Sequence, residues 1–360
     1  GGVTRLTKSG LSMTDWRLQG SMPPLNEAEW ELEFERYKQF PEYQQRRSMT
    51  LPEFKYIYFW EYAHRMLGRV VGVAFTAPLL YFAYKGAIPR RLYPNVGVLF
   101  CMGLGQGLVG WWMVKSGLEM DPAQRKEIRV SPYRLAAHLG MAFATFTGLL
   151  WTALEVLNPP AAMAAAAASA SPQALKAASA LRTTALGNAA LVGVTVLSGA
   201  FVAGNDAGHA YNTFPKMGDK WIPDELFDES LEPAWRNWFE STALVQLDHR
   251  VLALTTFTSV ATMYARARMG GSLPLLAPLP RMALHGMAGM AGLQVAMGIG
   301  TLLLHVPVGL ASAHQTGALV LLALTTTLAH SLKYAAVAPL PRAWAAVAAG
   351  VALGTGGAKR

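Results

Sequence analysis

The 360 residues are 52% hydrophobic and only 15% charged, against about a quarter charged in an ordinary soluble domain. This excludes a water-soluble globular protein and indicates a polytopic membrane protein. A formal net charge of +9 would suit nucleic acid, but the basic residues are scattered among loops instead of forming a stripe, so nucleic acid is excluded as a partner.

The chain opens on GGVTRLTKSG, without an initiator Met or targeting peptide, which reads as a fragment cut near the outer end of an earlier span, with an eighth crossing before Gly1. Residues 11–58 make a long outer loop in which EAEWELEFERYKQFPEY interleaves acidic and aromatic side chains; short surface helices are expected there. TLPE at Thr50–Glu53 has the form of a capping box, from which a helix can run unbroken through His64. A bilayer core of ~30 Å needs about 20 mostly apolar residues, and such segments occur at 59–84, 94–114, 132–157, 181–203, 242–265, 282–304 and 309–334. Ser131 and Pro132 read as N-cap and first residue of their helix. The Ala-rich stretch 160–181 reads as a weakly ordered linker on the inner side, and Trp344–Gly354 is too short and too rich in Ala and Gly for another crossing. Cys101, the single cysteine, leaves no intrachain disulfide; within its apolar segment it reads as a small buried core residue.

Of the 22 acidic residues, all but Glu155 fall in 5–61, 115–131, 204–240 or at Asp248, which alternate counting places on one face. The opposite short loops carry Lys85, Arg90, Arg91, Lys176, Arg182, Arg266, Arg268 and Arg281, and short basic loops mark the cytoplasmic or matrix side. The spans containing His64, His138, His249 and His314 therefore all run inward, and the four histidines share a depth near the outer face.

The histidines also belong to a repeat. EYAHR at Glu61–Arg65 matches QLDHR at Gln246–Arg250, Gln106-x-x-x-Gly110 matches Gln294-x-x-x-Gly298, and His138 matches His314. Two tandem four-helix units are implied, related by a pseudo-two-fold axis along the membrane normal: 1–157, a linker at 158–180, and 181–334, followed by a tail at 335–360. Gln106 and Gln294 suit interhelical hydrogen bonds, and Gly-rich stretches such as Gly103-x-x-x-Gly107 suit close helix approach.

Any single histidine in an apolar helix is most simply a hydrogen-bonded core residue. Four at matched depth in a repeat point instead to two bis-histidine haem sites, each spanned by facing helices; other metals would want further Asp, Glu or Cys ligands. His209, His305, His285 and His330 fall elsewhere and read as structural. Glu61 lies one turn outward of His64 on the same face, where a carboxylate can move protons or stabilise developing positive charge, or simply pair with Arg65. Arg65 and Arg250 suit haem propionates or snorkel to the interface. With Gln246 in place of Glu61, the second unit reads as a plain cytochrome b site and the first as a modified one.

GGVTRLTKSGLSM, PEFKYIYFWEYAHRMLGR, GAFVAGNDAGHAYNTFPKMGDKWIP, VQLDHR and ASAHQTGA together resemble the haem A synthase family across nearly the whole chain. The resemblance implies eight spans in two four-helix halves, with haem B as cofactor, haem O as substrate and haem A as product. The resemblance further implies that a porphyrin methyl is oxidised to formyl, with water as the oxygen source. It implies that His249 and His314 hold haem B, with Arg250 beside them, and that His64 and His138, with Arg65, line the haem O site where Glu61 is catalytic. Some bacterial members carry paired cysteines in outer loops; this chain has none, so no thiol relay is carried over. PKMGDKWIPDELF resembles eukaryotic members, which favours the mitochondrial inner membrane over a bacterial inner membrane. The implied partners are haem O from its synthase, an unidentified electron acceptor and the lipid bilayer; a homo-oligomer is allowed. The competing readings are a di-haem b-type electron-transfer cytochrome without porphyrin chemistry, and a haem-free transporter or scaffold.

Overall fold

The computed structural model describes residues 1–17, 19–120 and 128–337; Trp344–Gly354 and most of the tail lie outside the described residues. Regular structure is helical: α1 Gly2–Leu6, α2 Glu27–Tyr37, α3 Pro41–Gln45, α4 Leu51–Tyr84, α5 Tyr93–Leu118, α6 Pro132–Leu157, α7 Pro160–Ser169, α8 Pro172–Gly204, α9 Asn237–Glu240, α10 Thr242–Met269, α11 Pro278–Leu303 and α12 Val308–Ser331, joined by 3₁₀ turns.

Six of these helices, α4, α5, α6, α8, α11 and α12, are long and apolar enough to cross a membrane, so the chain is an all-helical multi-span membrane protein. The seventh expected span is helical too, as the 28-residue α10, but Gln246, Asp248, His249, Arg250, Arg266 and Arg268 keep it out of that class by composition. The Ala-rich stretch read as weakly ordered is helical: α7 occupies 160–169, and α8 starts at Pro172, capped by Ser171 Oγ accepting from Ala174 N at 3.1 Å. Alanine is the best helix former, and a run of it extends the neighbouring helix instead of loosening it.

The helix starts follow the capping chemistry. At α4, Thr50 N donates to Glu53 Oε2 at 2.7 Å and Glu53 N to Thr50 Oγ1 at 3.5 Å, a complete capping box. Ser131 is the N-cap of α6, yet its side chain caps nothing; its amide instead donates to Ser116 Oγ on α5 at 2.8 Å.

Helices α8, α10, α11 and α12 contact one another in a closed ring, α4 contacts α5, α5 contacts α6, and α6 packs on α8 and α12. The ring holds the main core, with Val260, Leu284, Met287 and Leu328 fully buried. The first unit has its apolar cluster elsewhere, beyond the histidines: α2, α3 and the start of α4 stack Trp30, Phe34, Tyr37, Phe54 and Tyr58, with Phe34 and Phe54 centroids 5.1 Å apart. This cap exists because α4 begins thirteen residues before His64 whereas α10 begins seven before His249, an excess of about 9 Å of helix. Two expectations fail here. Cys101 lies on the exposed face of α5, not in a core, because α5 is apolar all round. Gly103 and Gly107 face open space, while Gly110 makes the close approach.

Candidate haem sites at one end of the bundle

His64 on α4 and His138 on α6 face each other with ring centroids 6.4 Å apart. Two metal–nitrogen bonds of about 2 Å each plus two half-rings account for that separation, so the pair fits axial ligation of one iron. His249 on α10 and His314 on α12 lie within electrostatic reach of each other. Each ring presses on a glycine of a neighbouring segment: a methyl group at Gly1, Gly110, Gly199 or Gly298 would lie 3.4, 2.9, 3.1 or 3.1 Å from Cε1 of His64, His138, His249 or His314 respectively. The buried Nδ1 atoms of His138 and His314 have no hydrogen-bond partner. Among the described residues no cluster of three or more His, Cys, Asp or Glu could hold a different metal.

His249 differs from the others. Its Nδ1 lies 2.8 Å from Ser198 Oγ, and that hydroxyl donates to the Thr195 carbonyl at 2.8 Å. With the serine proton spent, Nδ1–H donates to Ser198, which leaves Nε2 as the bare nitrogen, available to iron.

Glu61 is 2% exposed and its oxygens are fully engaged. Ser12 Oγ and Met13 N donate to Oε2 at 2.7 and 2.8 Å, and Arg65 Nη2 donates to Oε1 at 2.6 Å. Arg65 then donates to the carbonyls of Asp15 and Met13 at 2.8 and 2.9 Å. The second unit builds the same clip with opposite polarity. Gln246 Nε2 donates to the carbonyls of Ala207 and Ala210, at 2.7 and 2.5 Å, and its Oε1 accepts from Arg250 Nη2 at 2.9 Å. Arg250 reaches the carbonyls of Tyr211 and Thr213, both at 2.9 Å. Both arginines thus hold the loop that covers their histidine, and the ion pair between Glu61 and Arg65 is present.

These contacts reveal a register that the sequence reading missed. GGVTRLTKSG at 1–10 corresponds to GAFVAGNDAG at 199–208, which pairs Gly1 with Gly199, Ser12 with Ala210 and Met13 with Tyr211. Lys8 and Asp206, matched in this register, both adopt φ of 52°, a left-handed conformation uncommon outside glycine. Aligning the two segments would have exposed Ser12; Ser198 has no such signal, because the aligned segments start at Gly1 and Gly199.

Gln106 makes its expected interhelical bond, Nε2 to the His138 carbonyl at 3.0 Å, whereas the buried Gln294 Nε2 has no partner. At the opposite end His285 bonds Tyr264 at 2.9 Å, and the buried His330 packs on Trp151 at 4.9 Å, beside Glu155, which pairs with Lys333.

The model of the COX15-CtaA family, described as cytochrome oxidase assembly protein, matches residues 1–326. The heme A synthase COX15 of Arabidopsis thaliana is 52% identical over 336 residues, 92% of this chain and 70% of that protein. The heme A synthase COX15 of Homo sapiens is 48% identical over 89% of this chain and 75% of its own length. The heme A synthase of Nitrosospira multiformis is 45% identical over 92% and 88%.

Proposed function

The chain belongs to the COX15-CtaA family of cytochrome oxidase assembly proteins, and on that premise we propose that it is a haem A synthase. This oxidoreductase converts the methyl group of haem O to the formyl group of haem A. The conversion of CH3 and water to CHO releases four electrons and four protons, so the protein must bind the porphyrin, place one methyl, and pass on charge. The observation that carries the assignment is two matched histidine pairs whose neighbouring side chains differ, Glu61 against Gln246.

In this proposal the two units are tandem four-helix bundles about a pseudo-two-fold axis along the membrane normal. Haem O is the substrate between His64 and His138, and haem B the cofactor between His249 and His314. The tautomer set by Ser198 and the 6.4 Å separation of the His64 and His138 rings fit that ligand class. Haem B supplies one-electron transfer when bound. Glu61 places a carboxylate one turn from His64, held by Ser12, Met13 and Arg65, where its charge opposes positive charge building on the substrate. Its grip on the loop also keeps water from the outer side of His64. The histidine end faces the intermembrane space of mitochondria, or the periplasm if the source is bacterial, because the opposite end carries the short basic loops.

The test is extraction and mass analysis of bound porphyrins from protein supplied with haem O. Wild type yields the formyl porphyrin. Glu61→Gln retains porphyrin and loses formyl product, and His64→Ala and His249→Ala lose different porphyrins. Haem B alone from wild type, whatever is supplied, would establish a di-haem cytochrome instead.

A further inference from the structure

A cavity of about 260 Å³ opens between the outer cap and α5, walled by Trp16, Phe40 and Trp111 and carrying Arg65, Lys115 and Glu119. Trp16 and Trp111 lie 6.1 Å apart at 49°, and Lys115 Nζ sits 5.5 Å from the Trp111 ring centre. Its depth follows from α5. Gly110 packs against His138, and Lys115 lies five residues further toward the outer end, about 7.5 Å along the axis. The cavity thus lies just outward of the His64 and His138 pair, with Arg65, the neighbour of His64, in its wall. An aromatic wall with a cation at its rim suits a flat macrocycle bearing carboxylates.

The second unit lacks two of these features. In the register that matches Gln106 with Gln294, Trp111 corresponds to Ile299 and Lys115 to Leu303. Arg65 and Arg250, by contrast, occur in both units and spend their donors on loop carbonyls. Lys115 is therefore a cation of this cavity without a counterpart in the second unit, and it belongs to the unit whose ligand must come and go. It pairs with Glu119 Oε1 at 3.3 Å, with the two side chains 44% and 65% exposed, and an exposed pair of this kind contributes little. The ammonium can exchange Glu119 for a carboxylate arriving from the cavity, releasing Glu119 to water.

We propose that this cavity is the subsite for the anionic edge of the porphyrin substrate, where Lys115 pairs with a propionate carboxylate against the Trp16 and Trp111 rings. The assignment rests on haem O occupying the first unit. It is tested by absorbance titration of the full chain, in lipid discs, with ferric haem O and with its propionate dimethyl ester. In wild type the acid binds about tenfold tighter than the ester. Lys115→Met abolishes that preference by weakening the acid alone, Lys115→Arg keeps it, and Lys85→Met, at the other end of α4, leaves both ligands unaffected. Equal binding of acid and ester by wild type, or equal loss of both in Lys115→Met, would overturn the subsite. Absence of formyl product from wild type would overturn the enzyme assignment, while the acid-to-ester contrast reads the subsite independently of turnover.

Discussion

At the residue scale, the difference between Glu61 and Gln246 was visible in the sequence but its consequence was not, because the groups that answer each side chain come from loops 36 to 49 positions away. With its oxygen kept on Arg65, an amide at 61 would turn its NH2 toward the Met13 N–H, donor against donor, and a buried donor without an acceptor costs about 1–3 kcal/mol. Glu61 therefore combines a charge beside the histidine pair with a structural clip on the loop above it. Ser198 is a positioning residue of a different kind, since it acts only through His249. Groups that orient a ligating histidine typically alter metal affinity by about 10–100-fold. Ser198→Ala is expected to lower haem B affinity within that range and to change the low-spin electron paramagnetic resonance of the site, with Ser198→Thr restoring both. An unchanged spectrum would leave Ser198 without a role in setting the tautomer.

At the element scale, the helices were legible wherever hydropathy and capping chemistry agreed, as at Thr50–Glu53. They were misjudged where composition was a poor guide to order, as in the Ala-rich α7. The outer cap was anticipated only as surface helices, since nothing local reveals that Tyr37 and Phe54 stack across separate segments. One carboxylate makes this cap sensitive to pH. Glu42 is 6% exposed, and burial pushes its pKa up to about 7 against the pull of Arg46, 3.8 Å away, and the Tyr37 hydroxyl donating at 3.0 Å. A carboxyl raised in the folded state stabilises fully below its unfolded value, 4.5, and that contribution is lost as pH rises through about 7. Thermal melting followed by tryptophan fluorescence should show the protein more stable at pH 5 than at pH 8, by about 1–3 kcal/mol. Glu42→Gln should flatten the profile between those values, and a wild-type profile already flat would refute the coupling.

At the scale of the whole molecule, the units meet through α6 and, at the histidine end, through Asp206. Its carboxylate pairs with Arg5 of the first unit at 2.8 Å and with Arg129 of the α5–α6 connection at 3.3 Å. Burial pulls the Asp206 pKa upward, but Arg5, Lys8 and Arg129 overrule it and hold it below its ordinary value. A depressed carboxyl stabilises fully above its unfolded value, 3.8, and less as pH falls below it, so the tie is intact at neutral pH. Asp206→Asn should cost about 1–3 kcal/mol in thermal denaturation at pH 7, and the loss should shrink as pH falls below 3.8. The repeat was proposed from matched motifs in the sequence, whereas this tie joins residues 201 positions apart and needs the folded chain. The opposed polarity of the two clips bears as well on how such copies diverge. An accepting carboxylate requires loop donors and a donating amide requires loop acceptors, so neither half can be converted to the other by one codon change. Exchanging the helices without their loops would set donor against donor in one half and acceptor against acceptor in the other.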